Sequence, residues 1–171
     1  MFLYGKQKML GRKSGIMLNL IDHVNIIKHI HSKQNRKWDK SVPYWIHPLW
    51  CASMILCESR LTKPQRHKGA LALLYHDARE IGKQAMIPLS VTSLVTDMSF
   101  TGFDEEMQLL MARGDFVILL KLYDKTHNLL DGHWMTNKRK NEYKVHTLRL
   151  IEHVRRVYGN LQICDLARSL I

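Results

Sequence analysis

The sequence GALALLYHDAREIG, residues 69–82, places His76, Asp77 and Glu80 inside an otherwise apolar run. Its apolar residues recur at helical spacing, which predicts that the run packs in the protein interior. An imidazole or a carboxylate that loses water without gaining a partner is strongly destabilising. Charged side chains are therefore rarely buried unless they are paired or bind a metal. The stretch predicts either that this face lines a cleft or that a positive charge lies against it.

The local pattern predicts one helix from about residue 65 to residue 81, ending near Gly82, because glycine commonly follows the last helical residue. Within such a helix Leu73, His76, Asp77 and Glu80 are spaced at i, i+3, i+4 and i+7 and share one face. We therefore expect the polar groups to point in the same direction.

Two further apolar segments also carry polar groups. In DFVILLKLYDKTHNLLDG, Asp124 stands among apolar neighbours, with Asn128 one turn later. In YWIHPLWCA, His47 lies within another apolar stretch. Together with His76 and Asp77, these residues supply two imidazoles and two carboxylates, a mixed nitrogen and oxygen set suited to manganese, iron, cobalt or zinc.

Each of these residues also has an ordinary structural interpretation. A single histidine on an apolar face is commonly a hydrogen-bonded core residue, and Asp124 could pair with Lys121 or Lys125. The joint occurrence of the four residues in three apolar segments favours a metal site.

The rest of the chain predicts an all-α fold. Helical patterns are separated by short turns, and no convincing pair of strands is present. With 171 residues, of which 46% are hydrophobic, the chain is long enough for one domain with a substantial core. We expect a basic N-terminal arm over residues 1–17 and a single helical domain over residues 18–171.

Composition excludes several classes of protein. Cys51, Cys57 and Cys164 show no C-x-x-C spacing, which argues against a disulfide framework and fits a reducing compartment. No apolar run reaches the roughly 20 residues of a membrane span, so we expect a cytoplasmic protein without a membrane partner. The formal net charge of +11 would attract polyanions. The basic residues are scattered and form no stripe or known nucleic-acid motif, so the charge alone leaves nucleic acid, a phosphorylated small molecule and an ordinary solvated surface open. We expect a nucleotide as the partner, with nucleic acid the less expected one.

The order His, His-Asp, Asp is the signature of the HD superfamily of metal-dependent phosphohydrolases, which this chain resembles. The segments HSKQNRKWDKSVPYWIHPLWCASMIL, LALLYHDARE and LLKLYDKTHNLLD are similar to the hydrolase domain of the RelA/SpoT family and its small stand-alone relatives. The resemblance covers roughly residues 22–135. It implies an HD-domain helical bundle that hydrolyses a phosphate ester or anhydride of a nucleotide, with a purine nucleotide as the expected substrate.

The resemblance also implies roles for particular residues. One divalent cation, most commonly Mn²⁺ with Co²⁺, Fe²⁺, Zn²⁺ or Mg²⁺ as alternatives, would be held by His47, His76, Asp77 and Asp124. The catalytic residues would be Asp77 and Glu80, with Glu80 positioning or deprotonating the attacking water. The substrate-binding residues would be Arg36, Lys37, Trp38, Lys125 and Asn128, where Arg36 stacks on the purine, Lys37 meets phosphate and Asn128 touches the ribose or a phosphate.

At one position the sequence departs from the ppGpp hydrolases, which carry Glu-Asp after the His-Asp pair. Here Ile81 follows Glu80. The segment HDAREIGKQAMIP is more similar to a second branch, which includes deoxynucleoside 5′-monophosphatases and small phage enzymes that remove dATP. A (p)ppGpp 3′-pyrophosphohydrolase and a (d)NTP or dNMP hydrolase therefore both remain open. The alternative is an inactive HD module that binds a nucleotide or nucleic acid, and a homo-oligomer is left open.

Overall fold

The computed structural model describes residues 19–37 and 39–171, and within these ranges the fold is all-α as predicted. Its helices are α1 (Leu20–Ile30), α2 (Ile46–Leu56), α3 (Lys63–Tyr75), α4 (Thr92–Met98), α5 (Phe103–Leu109), α6 (Asp115–Leu130), α7 (Asn137–Tyr158) and α8 (Gln162–Ser169). Among the described residues the sole β feature is an isolated bridge between Asn35 and Pro43. The predicted arm over residues 1–17 and the predicted substrate-binding residue Trp38 lie outside the described residues.

Helices α1 and α3 each begin at a capping residue, whose side chain accepts a hydrogen bond from a backbone N–H group in the first turn. The Asn19 side chain accepts a hydrogen bond from the Asp22 backbone at 3.0 Å, and the Asp22 carboxylate accepts one from the Asn19 backbone at 3.1 Å. Thr62 and Gln65 form the same reciprocal arrangement before α3, with a proline in its first turn. Such pairs satisfy backbone donors that have no partner within the helix.

Helix α6 is the centre of the bundle. Every residue from 117 to 127 is buried, and the helix packs against α2, α3, α4, α7 and α8. A helix surrounded on all sides needs apolar residues around its circumference, which explains the run VILLKLY. Any polar side chain on α6 is consequently buried and must find its partners inside the bundle.

Gly69 allows α2, α3 and α6 to approach closely. A Cβ atom added at this position would lie 2.5 Å from Cδ1 of Ile55 and 3.2 Å from Cδ2 of Leu120. The close packing of α2 on α3 brings the first turn of α2 near the last turn of α3, where His47 and His76 are found.

The prediction of one continuous helix to residue 81 is wrong. Helix α3 ends at Tyr75, and residues 76–82 form successive turns in which Ala78 N–H donates to the Tyr75 carbonyl at 2.9 Å and Glu80 N–H to the Asp77 carbonyl at 3.1 Å. Nδ1 of His76 lies 2.7 Å from the Leu73 carbonyl oxygen, so a side chain takes up one of the last helical carbonyls. His76, Asp77 and Glu80 are therefore arranged by turns and not by a helical face.

After residue 82 the chain forms short 3₁₀ helices at Gln84–Met86 and Leu89–Val91 before α4 begins. All three cysteines are free, as expected. The longest described helix, α7, has 22 residues but is rich in charged side chains. Over residues 19–37 and 39–171, none of the helices combines the length and apolarity required to cross a membrane.

Candidate metal centre and active site

The four predicted metal ligands converge in the structure. Nε2 of His47, in the first turn of α2, lies 3.2 Å from Nε2 of His76 at the end of α3. Oδ2 of Asp77 is 3.2 Å from Nε2 of His76, and Oδ1 of Asp124 on α6 is 3.3 Å from Nε2 of His47. The two remaining distances between an imidazole Nε2 and a carboxylate oxygen are both 3.8 Å. Residues separated by up to 77 positions thus bring their donor atoms together, with His47, His76 and Asp77 all mutually close and Asp124 beside the two histidines.

The donor spacing fits a single divalent cation. Ligands about 2.0–2.2 Å from a metal, at tetrahedral or octahedral angles, lie about 3.0–3.6 Å from one another. Donor atoms of His47, His76 and Asp77 all lie within 4.8 Å of one another, and Asp124 adds a second carboxylate beside both histidines. Two neutral imidazoles and two carboxylates suit the borderline metals expected from the sequence.

The electrostatics of the site also favour a cation. Burial lowers the pKa of His76, but the neighbouring carboxylates of Asp77 and Asp124 outweigh burial and raise this pKa to about 9. Two carboxylates confined in a buried space therefore hold a positive charge on a group that is ordinarily neutral above pH 7. A divalent cation would meet the same demand directly.

His127, one turn after Asp124 on α6, orients His47. Nδ1 of His127 lies 2.8 Å from Nδ1 of His47, and the His127 ring is held between the rings of His47 and Trp50. Burial and the adjacent His47 lower the pKa of His127 to about 3, so His127 is neutral and can accept a hydrogen bond from His47 Nδ1–H. That tautomer of His47 leaves Nε2 free to bind a metal.

Tyr44 supports Asp77. Its hydroxyl donates to Oδ2 of Asp77 at 2.7 Å. Burial and the charge of Asp77 raise the pKa of Tyr44, so the phenol remains protonated and acts as a donor. The loop that carries Tyr44 is fixed by backbone hydrogen bonds from Arg36 N–H to the Val42 carbonyl at 2.8 Å and from Tyr44 N–H to the Gln34 carbonyl at 2.9 Å.

Asp124 serves two kinds of partner. Its Oδ2 lies 2.7 Å from Nζ of Lys121 and 3.3 Å from Nζ of Lys125, so the lysine pairing suggested by the sequence is present. Its Oδ1 faces the histidines and also accepts a hydrogen bond from Nδ2 of Asn128 at 2.7 Å. Burial raises the pKa of Asp124, but the two lysines outweigh burial and hold this pKa well below its ordinary value. Asp124 is therefore an ionised carboxylate with one oxygen available on the metal side.

Glu106 was not predicted as a site residue, yet it joins the same cluster. Its Oε2 lies 2.8 Å from Nζ of Lys121 and 2.9 Å from Nζ of Lys125. Its Oε1 lies 3.2 Å from Nε2 of His146 on α7. Burial raises the pKa of Glu106, but the lysines outweigh burial and lower this pKa to about 2, so the carboxylate is ionised.

A cavity of about 210 Å³ adjoins the candidate metal centre. Its lining mixes charged, polar and aromatic residues: Arg36, Lys37, Tyr44, His47, Asp77, Glu80, Met98, Phe100, Gly102, Phe103, Glu106, Lys121, Asp124, Lys125, Asn128, Trp134 and Tyr143. Every predicted site residue that the structure describes is therefore at this cavity, except His76, which lies directly behind Asp77 and His47. The Glu80 residue as a whole is exposed, but it lines the cavity, where partial loss of water around its carboxyl group and the charge of Asp77 raise its pKa.

Arg36 and Lys37 differ in their availability. The Arg36 guanidinium is buried and contacts Oδ2 of Asp131 through Nε at 2.8 Å and through Nη2 at 2.7 Å. It also lies over the Tyr44 ring, 5.3 Å from the ring centroid. Lys37 is exposed, and its Nζ lies 4.7 Å from the ring centroid of Trp134 at the same cavity. Lys37 is thus available to bind a ligand, whereas Arg36 would first have to release Asp131.

Ile81 provides no second carboxylate at the cavity. Its side chain is partly buried and packs against the hydrophobic core. Glu80 is consequently the carboxylate that the turn after His76 and Asp77 contributes to the cavity lining.

Comparison with solved structures supports the fold. The chain is similar to a structure described as a metazoan ortholog of SpoT that hydrolyses ppGpp and plays a role in starvation responses. The TM-score is 0.69 at 18% sequence identity, over 91% of this chain and 96% of that chain. No protein-family model matches the chain, and no curated protein matches its sequence. The likeness confirms the predicted all-α fold, which this chain shares with that protein.

Proposed function

We propose that the protein is a metal-dependent phosphohydrolase that cleaves a phosphate ester or anhydride of a nucleotide, with a purine nucleotide as the expected substrate. The observation that carries the proposal is the convergence of His47, His76, Asp77 and Asp124 beside a charged cavity. The likeness to a protein described as hydrolysing ppGpp supports the same class of reaction.

In the proposed reaction, some residues bind the metal or the substrate and Glu80 transfers a proton. A divalent cation at this centre, with Mn²⁺ as the first choice, would lower the pKa of a water and take up negative charge on a phosphoryl oxygen. Glu80 lines the cavity and accepts a proton from the attacking water as a general base. Lys37 binds a phosphate group from the exposed side, and Asn128 holds Asp124 in place. Asp77 is both a ligand and the partner of Tyr44.

Two substrate types remain within the proposal. Ile81 packs in the core where the ppGpp hydrolases carry a second acid, which favours a (d)NTP or dNMP hydrolase. The fold likeness to the SpoT ortholog favours a (p)ppGpp 3′-pyrophosphohydrolase. The two activities release different products, namely triphosphate or orthophosphate in the first case and pyrophosphate in the second.

A panel of ppGpp, dNTPs, NTPs and dNMPs incubated with the full chain and Mn²⁺ tests the proposal, with the products resolved by chromatography. We expect turnover of at least one purine nucleotide, its abolition by EDTA, and its recovery on adding Mn²⁺. Asp77→Ala should lose turnover, whereas Asp104→Ala, which removes an exposed carboxylate, should keep it. Absence of turnover across the panel with every divalent metal named above would refute the hydrolase.

The second candidate is an HD module that binds a nucleotide without turnover. Ile81 in place of an acid and the engagement of Arg36 by Asp131 favour this alternative. It predicts saturable nucleotide binding by calorimetry with no product after prolonged incubation. A nucleic-acid module would instead show affinity that falls steeply with the logarithm of the salt concentration and survives EDTA.

A further inference from the structure

A buried cluster of four charges includes Asp124 and extends from it to Glu106. It consists of Glu106 on α5 together with Lys121, Asp124 and Lys125 on α6, and no member is more than 6% exposed. Each lysine Nζ bridges the two carboxylates, contacting Oε2 of Glu106 at 2.8 or 2.9 Å and Oδ2 of Asp124 at 2.7 or 3.3 Å. Glu106 is thus connected to the candidate metal centre through two ammonium groups.

The charges in this cluster balance. Lys121 and Lys125 contribute +2, and Asp124 and Glu106 contribute −2, so the sum is zero. Without Glu106 the same three α6 side chains would carry a net charge of +1 in a buried region. That charge would lie beside the carboxylate expected to hold a cation, and buried charges are only weakly screened by solvent.

Glu106 is itself fixed in position. Its Oε1 lies 3.2 Å from Nε2 of His146, a residue of α7 that is 1% exposed. The aromatic rings of Phe103 and Tyr143 stack on each other next to Lys125, with Nζ 5.5 Å and 5.2 Å from the two ring centroids. Because these contacts come from α5 and α7, the lysines are held in place by elements outside α6.

We infer that Glu106 is a positioning residue of the metal centre: it neutralises Lys121 and Lys125, so that their positive charge does not oppose a cation held beside Asp124. Glu106 is not one of the proposed metal ligands and acts through the two lysines that it contacts. The inference rests on the proposed function, since it assumes that the His47, His76, Asp77 and Asp124 set holds a metal. Residues behind the ligands of a metal commonly affect its affinity by about 10- to 100-fold.

The experiment measures Mn²⁺ affinity of the metal-free chain by isothermal titration calorimetry, with circular dichroism to confirm folding. We expect Glu106→Gln to weaken Mn²⁺ binding by about 10-fold or more. Glu105→Gln removes the same charge from the adjacent, less buried position and should leave the affinity unchanged. Equal affinity of these two variants would overturn the inference.

Charge restoration separates positioning from simple loss of packing. The double variant Glu106→Gln/Lys125→Gln regains charge balance. It should therefore bind Mn²⁺ within about threefold of the wild type, whereas Glu106→Gln alone should bind about 10-fold more weakly. A double variant as weak as Glu106→Gln would refute the charge argument. If Glu106→Gln does not fold, Lys125→Gln replaces it in the comparison and should bind more tightly than the double variant, with equal affinities counting against the inference. A wild-type chain that binds no Mn²⁺ would instead remove the metal centre and the proposed function with it.

Discussion

The hydroxyl of Tyr44 donates a 2.7 Å hydrogen bond to Oδ2 of Asp77, the same oxygen that lies 3.2 Å from Nε2 of His76. Tyr44 and Asp77 are 33 positions apart, and the bond ties the loop before α2 to the turn after α3. The hydrogen bond therefore fixes the position of the candidate ligand Asp77 relative to α2, which carries His47.

Tyr44→Phe should lower the free energy of unfolding of the metal-free chain by about 1.5 kcal/mol, the low end of values for a hydrogen bond to a charged group. The phenyl ring keeps the packing against His31, so the loss reports the hydrogen bond. Denaturant unfolding followed by circular dichroism measures it. Tyr158→Phe, which removes a hydroxyl from a half-buried tyrosine at the end of α7, is the matched control. Equal stability of the two variants would show that the Tyr44 hydroxyl contributes nothing.

His127→Ala should weaken Mn²⁺ binding by about 10- to 100-fold, because His47 would lose the partner of its Nδ1 and its preferred orientation. The measurement is a calorimetric titration of the metal-free protein. His133→Ala removes an exposed histidine a few residues later and should not change the affinity. A His127 variant that binds Mn²⁺ as the wild type does would make the contact with His47 incidental.

The contribution of Glu106 to stability should depend on pH. Its pKa falls from an ordinary value of 4.5 to about 2 in the folded protein because burial is outweighed by Lys121 and Lys125. A lowered pKa of an acid gives stability that is present above the unfolded pKa and disappears as pH falls through the folded pKa. The stabilisation is on the order of 3 kcal/mol at neutral pH.

The wild type should therefore exceed Glu106→Gln in free energy of unfolding at pH 7, and the difference should shrink between pH 4.5 and pH 2. Urea unfolding of both proteins at a series of pH values measures the difference and cancels the other titrating groups. A difference that stays constant over this range would mean that ionisation of Glu106 is not what stabilises the cluster.

Metal binding should stabilise the folded chain by mass action. At Mn²⁺ concentrations about 100-fold above the dissociation constant, the expected gain is about 2.7 kcal/mol, which thermal unfolding detects as a raised melting temperature. Asp77→Ala should show no such rise, because it removes one of the converging donor atoms. Asp97→Ala, at a partly exposed carboxylate that pairs with Arg113, should respond to Mn²⁺ as the wild type does. An Asp77 variant with an undiminished response would exclude this residue from the metal centre.

Local sequence pattern was sufficient for the all-α class and for the convergence of His47, His76, Asp77 and Asp124, because polar groups within apolar helices have few ways to be satisfied. The end of α3 at Tyr75 was not predictable in the same way. The sequence from 76 to 81 contains no glycine or proline, and the helix ends where the His76 ring takes up the Leu73 carbonyl.

Tertiary partners account for the residues that the sequence did not reveal. Glu106 belongs to the charged run DEEM, which locally indicates an exposed helix, and its burial depends on lysines 15 and 19 positions later. The pairing of Arg36 with Asp131 spans 95 positions. For His127 the sequence offered one indication of a role at the site, because this residue lies about one turn from Asp124 on the same buried helix. Its contact with His47 depends on how α2 packs against α6.

Lys37→Ala should raise KM for the nucleotide by about 10-fold while changing kcat little, because Lys37 is an exposed cation at the cavity and makes no contact with the candidate ligands. Loss of binding that is equal in the ground state and the transition state has this kinetic signature. Steady-state kinetics on the best substrate of the panel measures both constants. Lys33→Ala, at an exposed lysine earlier in the same loop, should leave them unchanged. A fall in kcat at constant KM would instead place Lys37 at the reacting phosphate, and unchanged kinetics would remove it from the binding site.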